Sequence, residues 1–339
     1  MKKTYYLFNS GELVRKDNSL CFIPSNSEDS KCDESNRQVR HIPVEAVSDF
    51  YVFGTLKANS SLYNFLGKND IAVHFFDYYE NYTGSFMPRD FLLSGKMLLS
   101  QTAAYRNKKK RVQLARKFVS GAAFNMQKNL AYYSNRGKDT VPMIELINKY
   151  SSRLDETSSI ESLMGTEGNI RQAYYDAFNL IIDPFVMGTR SKQPPLNEVN
   201  ALISFGNMIC YTVCLKAIHQ TQLNPTISFL HTPGERRYSL CLDIAEIFKP
   251  ILVDRTIFRT VNKRIIQAKH FEKHLNRCVL TPSGKKLFVQ AFEQRLDETI
   301  QHRKLGRSVS YKHLVKLECY KIAKDILGIE EYLPFKMYW

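Results

Sequence analysis

Up to about residue 88 the apolar and aromatic positions fall in short runs, at 4–8, 13–15, 20–23, 39–42, 50–52, 71–76 and 82–86. Turn chemistry separates several of them, at Asn9-Ser-Gly11, Asp17-Asn18 and Asn69-Asp70. That alternation predicts short strands joined by tight turns. Residues 60–66 read as one short helix. Residues 25–38 are polar and nearly devoid of large apolar side chains, so they read as a mobile loop joining two strands of a hairpin.

Pro88 ends this pattern, and from Arg89 a helical period takes over. One long helix is predicted over 108–129, with Val112, Leu114, Ala115, Phe118, Val119, Ala122 and Ala123 as its apolar positions. Helices follow at 141–150, around 170–182 (led into by 160–163), 196–223, 240–248, 254–268, 282–303 and 310–327. Residues 183–195, with Pro184, Gly188, Pro194 and Pro195, read as a loop. Asn224-Pro225 ends the apolar helix, and 226–230 reads as a short extended run delivering His231. The expected fold is α+β: a small β-sandwich-like domain over 1–88, then a larger all-α catalytic domain over 89–339. There is no internal repeat.

Charge changes this picture most. Lys+Arg 48 against Asp+Glu 33 leaves a net +15, an excess that points to a polyanionic partner or an anionic membrane surface. Residues 199–215 lack Asp, Glu, Lys and Arg but contain Asn200, Ser204, Asn207 and Thr212, which suits a buried helix better than a membrane span. The first residues lack an apolar signal core, so a cytoplasmic protein with no membrane partner is expected, and nucleic acid becomes the expected polyanion. Seven cysteines, at 21, 32, 210, 214, 241, 278 and 319, form no Cys-x-x-Cys pair. They suggest buried thiols rather than a zinc site or a disulfide framework.

Candidate chemistry gathers at 231–249. Leu240, Ile244 and Ile247 recur at helical spacing, and Asp243 and Glu246 lie three residues apart on the same side of that helix. Lys249 follows one turn later, and His231 lies upstream across a Pro233-Gly234 turn. Paired acids with an imidazole are what a divalent cation needs, and phosphodiester chemistry uses such a cation. The same spacing also suits a solvated Asp/Glu/Lys face with a loop histidine.

A second stretch, Gly165-Thr-Glu-Gly-Asn-Ile-Arg-Gln-Ala-Tyr-Tyr175, and a third, Pro195-Leu-Asn-Glu-Val-Asn-Ala-Leu-Ile-Ser-Phe-Gly206, change the weighting. With the His231-Thr-Pro-Gly run and Pro43-Val-Glu-Ala-Val-Ser-Asp-Phe-Tyr-Val-Phe-Gly54, they resemble the CRISPR-associated integrase family, in its type I branch. These are the "Cas-one" proteins, which insert new spacers into CRISPR arrays in antiviral defence. Thr232 stands where many relatives carry an acid. The resemblance implies a metal held by Glu167, His231 and Glu246, with Asp243, Asn200 and Lys249 as further active-site residues. Two carboxylates and an imidazole, with no thiolate, favour Mg²⁺ or Mn²⁺ over Zn²⁺. By itself Glu167 also reads as an acid facing a helix N-terminal dipole, and Asn200 as an amide bonding neighbouring backbone. Gly165 and Gly168 would let a nucleic-acid backbone approach Glu167 closely.

The expected activity is metal-dependent DNA strand transfer, in which the 3′-hydroxyl of a short fragment attacks a target phosphodiester. The family further implies a homodimer, two of them bridged by a small "Cas-two" partner dimer, acting on a spacer fragment and a repeat-containing target. A stand-alone nuclease of branched DNA or RNA, with water as nucleophile, and a non-enzymatic DNA-binding scaffold are the alternatives. Lys108, Lys109, Lys110 and Arg111, joined by Arg116 and Lys117, form one candidate DNA-binding face. Arg303, Lys304 and Arg307 form another, with Arg171 near the site as a phosphate contact. Tyr174 and Tyr175 are placed to stack on an unpaired base.

Overall fold

The computed structural model describes residues 2–25, 40–88, 92, 94–192, 194–234 and 238–338. The chain falls into two compact units, Met1–Phe91 and Leu92–Trp339. Most of the loop expected at 25–38 lies outside the described residues, as do Arg89, Asp90, Phe91 and Leu93.

Among its described residues the first unit holds eight strands and one α-helix. The strands are β1 (Lys3–Leu7), β2 (Gly11–Lys16), β3 (Ser19–Pro24), β4 (Arg40–Pro43), β5 (Val47–Val52), β6 (Leu56–Lys57), β7 (Ala72–Phe76) and β8 (Tyr82–Phe86), with α1 (Ser60–Lys68) before β7. They form two four-stranded sheets, ordered β1-β5-β7-β8 and β4-β3-β2-β6. One apolar core takes Leu7, Phe50, Val52 and Val73 from the first sheet, Leu13, Leu20 and Phe22 from the second, and Leu62, Phe65 and Leu66 from α1. β1, β5 and β7 are parallel. β5 is buried along its whole length, as a central parallel strand must be. The expected sandwich-like domain is present.

The second unit is mostly helical. Its helices are α2 (Gly95–Arg106), α3 (Lys108–Ser134), α4 (Val141–Ser151), α5 (Ile160–Asp176), α6 (Phe178–Ile181), α7 (Glu198–His219), α8 (Ser239–Lys249), α9 (Arg255–Asn262), α10 (Pro282–Asp297) and α11 (Tyr311–Ile326). Two hairpins interrupt them, β9 (Phe271–His274) with β10 (Arg277–Leu280), and β11 (Thr299–His302) with β12 (Arg307–Ser310). The helix expected over 282–303 therefore stops at Asp297, and Arg303, Lys304 and Arg307 lie on a hairpin rather than a helix. The helix expected over 254–268 ends at Asn262. Residues 226–230 are irregular rather than extended.

α8 is the centre of this unit, packed against α3, α7 and α11. Leu242 is the one residue of α8 that is only partly buried. Leu240, Ile244, Ile247 and Phe248 are wholly inside, and so are the charged Asp243, Glu246 and Lys249. A π-helical turn, Pro250–Asp254, follows directly. It presses close to α7, where a Cβ on Gly206 would lie 2.5 Å from Val253 Cγ1. By length and apolarity α7 qualifies as a membrane span, yet 72% of its most apolar stretch is buried within the protein. Cys210 and Cys214 of α7, Cys241 of α8 and Cys319 of α11 are all buried, unpaired thiols. Burial pushes the Cys214, Cys241 and Cys319 thiols above their ordinary range, which keeps them unreactive.

Candidate active site

The His231 loop is anchored from three helices, α2, α3 and α8. Gln101 of α2 donates from Nε2 to the carbonyls of Asn224 and Ile227 and accepts from the Asn224 N–H at 2.9 Å. Arg111 of α3 donates from Nε to the Phe229 carbonyl at 2.9 Å. Asp243, fully buried on α8, completes the fastening. Its Oδ2 accepts the N–H of Phe229 at 2.6 Å and of Leu230 at 3.0 Å, and its Oδ1 accepts the N–H of His231 at 3.0 Å. The same Oδ1 lies 2.8 Å from His231 Nδ1. A carboxylate opposite Nδ1 fixes the tautomer that carries its proton there, leaving Nε2 with its lone pair. The loop therefore presents one imidazole in one orientation.

Glu167 lies in the middle of α5. The helix starts at Ser159, whose hydroxyl accepts the Ser162 N–H at 3.2 Å. Gly165 and Gly168 are thus helical, and the alternative of an N-terminal acid at Glu167 does not hold. A Cβ built on either glycine meets nothing within 4 Å, so the surface on both sides of Glu167 is open.

Arg171, one turn further along α5, joins the two acids. Its Nε donates to Glu167 Oε1 at 2.7 Å and its Nη2 donates to Glu246 Oε2. Lys249 Nζ lies 2.5 Å from the other oxygen, Glu246 Oε1. The side chains of Glu167, Arg171 and His231 are 16%, 15% and 19% exposed, those of Glu246 and Lys249 each 7%. Glu167 and His231 therefore stand at a mouth, with Glu246 and Lys249 beneath. Burial works to raise the Glu246 pKa, but Arg171, Lys249 and then His231 hold it well below the usual carboxylate range. Burial works to lower the pKa of Arg171 and of Lys249, and the acids carry both above their ordinary values. Among the described residues, no three His, Cys, Asp or Glu side chains already stand as a closed metal cage. The acids converge instead on the Arg171 guanidinium.

The remaining residues singled out in the sequence divide. Asn200 is buried, bonded to the carbonyls of Thr189 and Met187, to the Ser191 N–H and to Arg190 Nη1. It clamps the 183–195 loop, and none of its hydrogen bonds reaches Glu167, His231 or Glu246. The bond to backbone, the alternative reading of this amide, is the one observed. Lys110 pairs with Asp325 at 2.5 Å, and Arg111 stacks on Tyr105 while holding the His231 loop. Arg116 is bonded to Thr157 and Lys117 to Glu331. Lys108 and Lys109 are exposed. Arg303 lies over the Tyr338 ring, and Lys304 pairs with Glu330. Tyr174 and Tyr175 are both buried, which removes them as stacking surfaces. The Tyr174 hydroxyl receives Asn129 Nδ2 at 3.0 Å and bonds the buried Asp254. Burial raises the Asp254 carboxyl to about 7 against the opposing pull of Arg171 and Lys249.

Three residues close to the site went unread in the sequence. Arg190 bonds Asn200 and Ser204 and faces Tyr175, Tyr211 and the like charge of Arg171. Tyr211 of α7 lies under Lys249, whose Nζ is 5.8 Å from its ring centre. Asp254 sits in the turn that follows α8. No motif spacing marks any of them.

Residues 5–294 match the family described as CRISPR associated protein Cas1. The chain belongs to that family. A relative from Thermodesulfovibrio yellowstonii, named CRISPR-associated endonuclease Cas1 2, is 47% identical over 341 residues and covers the whole of both chains. Another from Fusobacterium nucleatum, named CRISPR-associated endonuclease Cas1, is 46% identical over 340 residues, covering 100% of this chain and 98% of its own. Membership makes the chain an enzyme. Among solved structures, a Cas1 protein from Thermotoga maritima superposes with a TM-score of 0.84 at 38% identity, over 97% of this chain and 99% of that one. A casposase bound to integration product shares the fold at 19% identity, TM-score 0.84, over 99% and 93% of the two chains. A Cas6-RT-Cas1–Cas2 complex shares it at 16%, TM-score 0.80, over all of this chain and 36% of that one.

Proposed function

We propose that the protein is a metal-dependent DNA strand transferase that inserts short DNA fragments into a CRISPR array. The observation that carries this reading is the convergence of Glu167 and Glu246 on one cationic group beside an imidazole of fixed orientation. The Arg171 guanidinium marks where a cation is welcome between these two acids, so the residues fit a Mg²⁺ or Mn²⁺ ion held by Glu167, Glu246 and His231 Nε2. Such an ion supplies charge neutralisation at the attacked phosphate and lowers the pKa of the attacking hydroxyl.

The chain's own residues do the rest. Asp243 keeps the His231 proton on Nδ1, so Nε2 is available either as a ligand or, once protonated, to give a proton to the leaving 3′-oxygen. Lys249 keeps Glu246 charged inside the protein. Lys108, Lys109 and the Arg303 hairpin hold DNA phosphates. The 3′-hydroxyl of the fragment displaces the target's 3′-oxygen in line, joining one strand and releasing another 3′-hydroxyl. Relatives named endonucleases and a structural neighbour titled as a Cas1–Cas2 complex support this reading. So do the motifs around Glu167 and His231. We further propose a cytoplasmic homodimer, two of which a Cas2 dimer bridges.

Glu246 neutralises two buried cations, so its removal endangers the fold as well as the site. The test therefore uses Glu167→Gln, Glu246→Gln and His231→Ala, with joining and DNA binding measured on the same preparations. Each should lose joining by about 100-fold or more, equivalent to roughly 3 kcal/mol or more, and keep DNA binding. Near-normal joining in two of the three would refute the assignment.

A further inference from the structure

Glu167, Arg171, Glu246 and Lys249 carry two negative and two positive charges and neutralise one another in a largely buried cluster. Both oxygens of Glu246 already accept hydrogen bonds, one from Arg171 and one from Lys249. A divalent ion on these acids leaves the cluster with an excess of two positive charges. Lys249 has no way out, being 7% exposed beneath the acid. Arg171 is different. It is twice as exposed, lies on α5 at the mouth, and borders the open surface made by Gly165 and Gly168. Among the described residues its hydrogen bonds go to the two acids, and it is pressed by the like charges of Lys249 and Arg190. Buried charge of one sign is costly, so the group able to leave does so or acquires an anion.

We propose that Arg171 is a built-in counter-ion that a divalent cation displaces, and that the displaced guanidinium is then taken up by a DNA phosphate, so that ion and DNA bind cooperatively. This rests on the metal-site reading above. The fork of a guanidinium suits either partner, spanning two carboxylates at rest and pairing in bidentate fashion with phosphate afterwards. The device keeps the acids converged in the resting protein while holding ion affinity low until DNA is present. Coupling of this kind is reciprocal: whatever factor DNA adds to ion affinity, the ion adds to DNA affinity.

The test is Mn²⁺ binding to the full chain, read by the electron paramagnetic resonance of unbound Mn²⁺ and by calorimetry, with and without a short duplex DNA. The wild type should bind Mn²⁺ roughly tenfold more tightly in the presence of DNA. Arg171→Gln should bind Mn²⁺ about tenfold more tightly than wild type without DNA, and should gain about threefold or less when DNA is added. Arg171→Lys keeps the charge but cannot span both acids, and should fall between the two, which guards against a Gln variant that misfolds. Unchanged or weaker Mn²⁺ binding by both variants without DNA, with Mn²⁺ binding still lost in Glu246→Gln, overturns the counter-ion role alone. Normal Mn²⁺ binding by Glu167→Gln and Glu246→Gln overturns the metal site itself.

Discussion

Asp243→Asn isolates the part of the site that the rest depends on. The wild-type carboxylate accepts four hydrogen bonds: two backbone N–H groups at Oδ2, and one backbone N–H with the imidazole Nδ1 at Oδ1. An asparagine keeps one oxygen and turns an NH₂ toward donors on the other side, so two of the four are lost and the others weaken. Hydrogen bonds to a charged group contribute about 1.5–3 kcal/mol each. The loss should therefore be on the order of 3 kcal/mol, since Asp243 is fully buried. For a domain of this size that corresponds to a fall in melting temperature of roughly 6–12 °C. Joining should fall further than stability explains, because the imidazole loses the partner that fixes its tautomer. Thermal unfolding followed by circular dichroism gives the first number. Joining at a temperature where the variant is fully folded gives the second. A shift smaller than about 2 °C with joining intact would show that Asp243 neither fastens the loop nor orients His231.

Lys108→Ala with Lys109→Ala should lower the steepness with which DNA affinity falls with salt, by roughly one to two. Lys110→Ala and Arg111→Ala should instead cost stability, since Asp325 and the Phe229 carbonyl lose their partners. An unchanged salt slope in the first pair would remove that face from the DNA-binding surface. Asp254 has its carboxyl raised from the ordinary 3.8 to about 7. The unfolded chain ionises it first, so the group opposes folding increasingly as pH rises from about 4 to about 7, by at most about 4 kcal/mol. Asp254→Asn should therefore gain stability relative to wild type across that window, checked by urea unfolding at both ends. A constant difference between the two proteins would contradict it. Tyr174→Phe should form joined product without any protein–DNA adduct in the wild type to lose, because the phenol is buried, its pKa raised by burial and its hydroxyl engaged by Asn129 and Asp254. Inversion at a chiral phosphorothioate target confirms direct displacement, and retention refutes it.

The strands of the first unit were legible because turn residues bracket short apolar runs, and a period of two needs few residues to show. The hairpins of the second unit were not. Strands of four residues carry too little pattern, and Ile300 stands at helical spacing from Leu296, which extends the apparent helix past its end at Asp297. The helix expected around 170–182 begins earlier, at Ile160, although Gly165 and Gly168 each cost a helix about 1 kcal/mol relative to alanine. Burial of Leu163, Ile170, Ala173 and Tyr174 along one side of α5 overrides that cost. The acids at 167, 243 and 246 could be found by motif, but their division of labour could not. Spacing places Asp243 and Glu246 on one side of α8 without saying that one faces the backbone of a loop and the other a guanidinium. A run of four basic residues likewise does not reveal that Lys110 and Arg111 are already engaged within the protein.

The position of Glu246 is set from outside α8 as much as from within it. Pro250 has no N–H, and the π-helical turn that follows takes the chain off the regular ladder, so carbonyls at the end of α8 need other donors. Two buried amides on α3, one helical turn apart, supply them: Asn125 Nδ2 donates to the Ile247 carbonyl at 3.0 Å, and Asn129 Nδ2 donates to that of Pro250. Asn125 also binds the last described residues of the chain, donating to the Phe335 carbonyl and accepting the Met337 N–H. Pro334 lies where a Cβ on Gly121 would reach it at 2.8 Å, so α3 and the tail are in close contact. Phe335 stacks on Phe248 of α8, and Tyr332 bonds Glu318 of α11. An acid that shares the Arg171 guanidinium with Glu167 tolerates little play. Here the slack at a helix end is removed by side chains far from it in sequence, and a single asparagine ties the docking of the tail to the carbonyl next to Glu246.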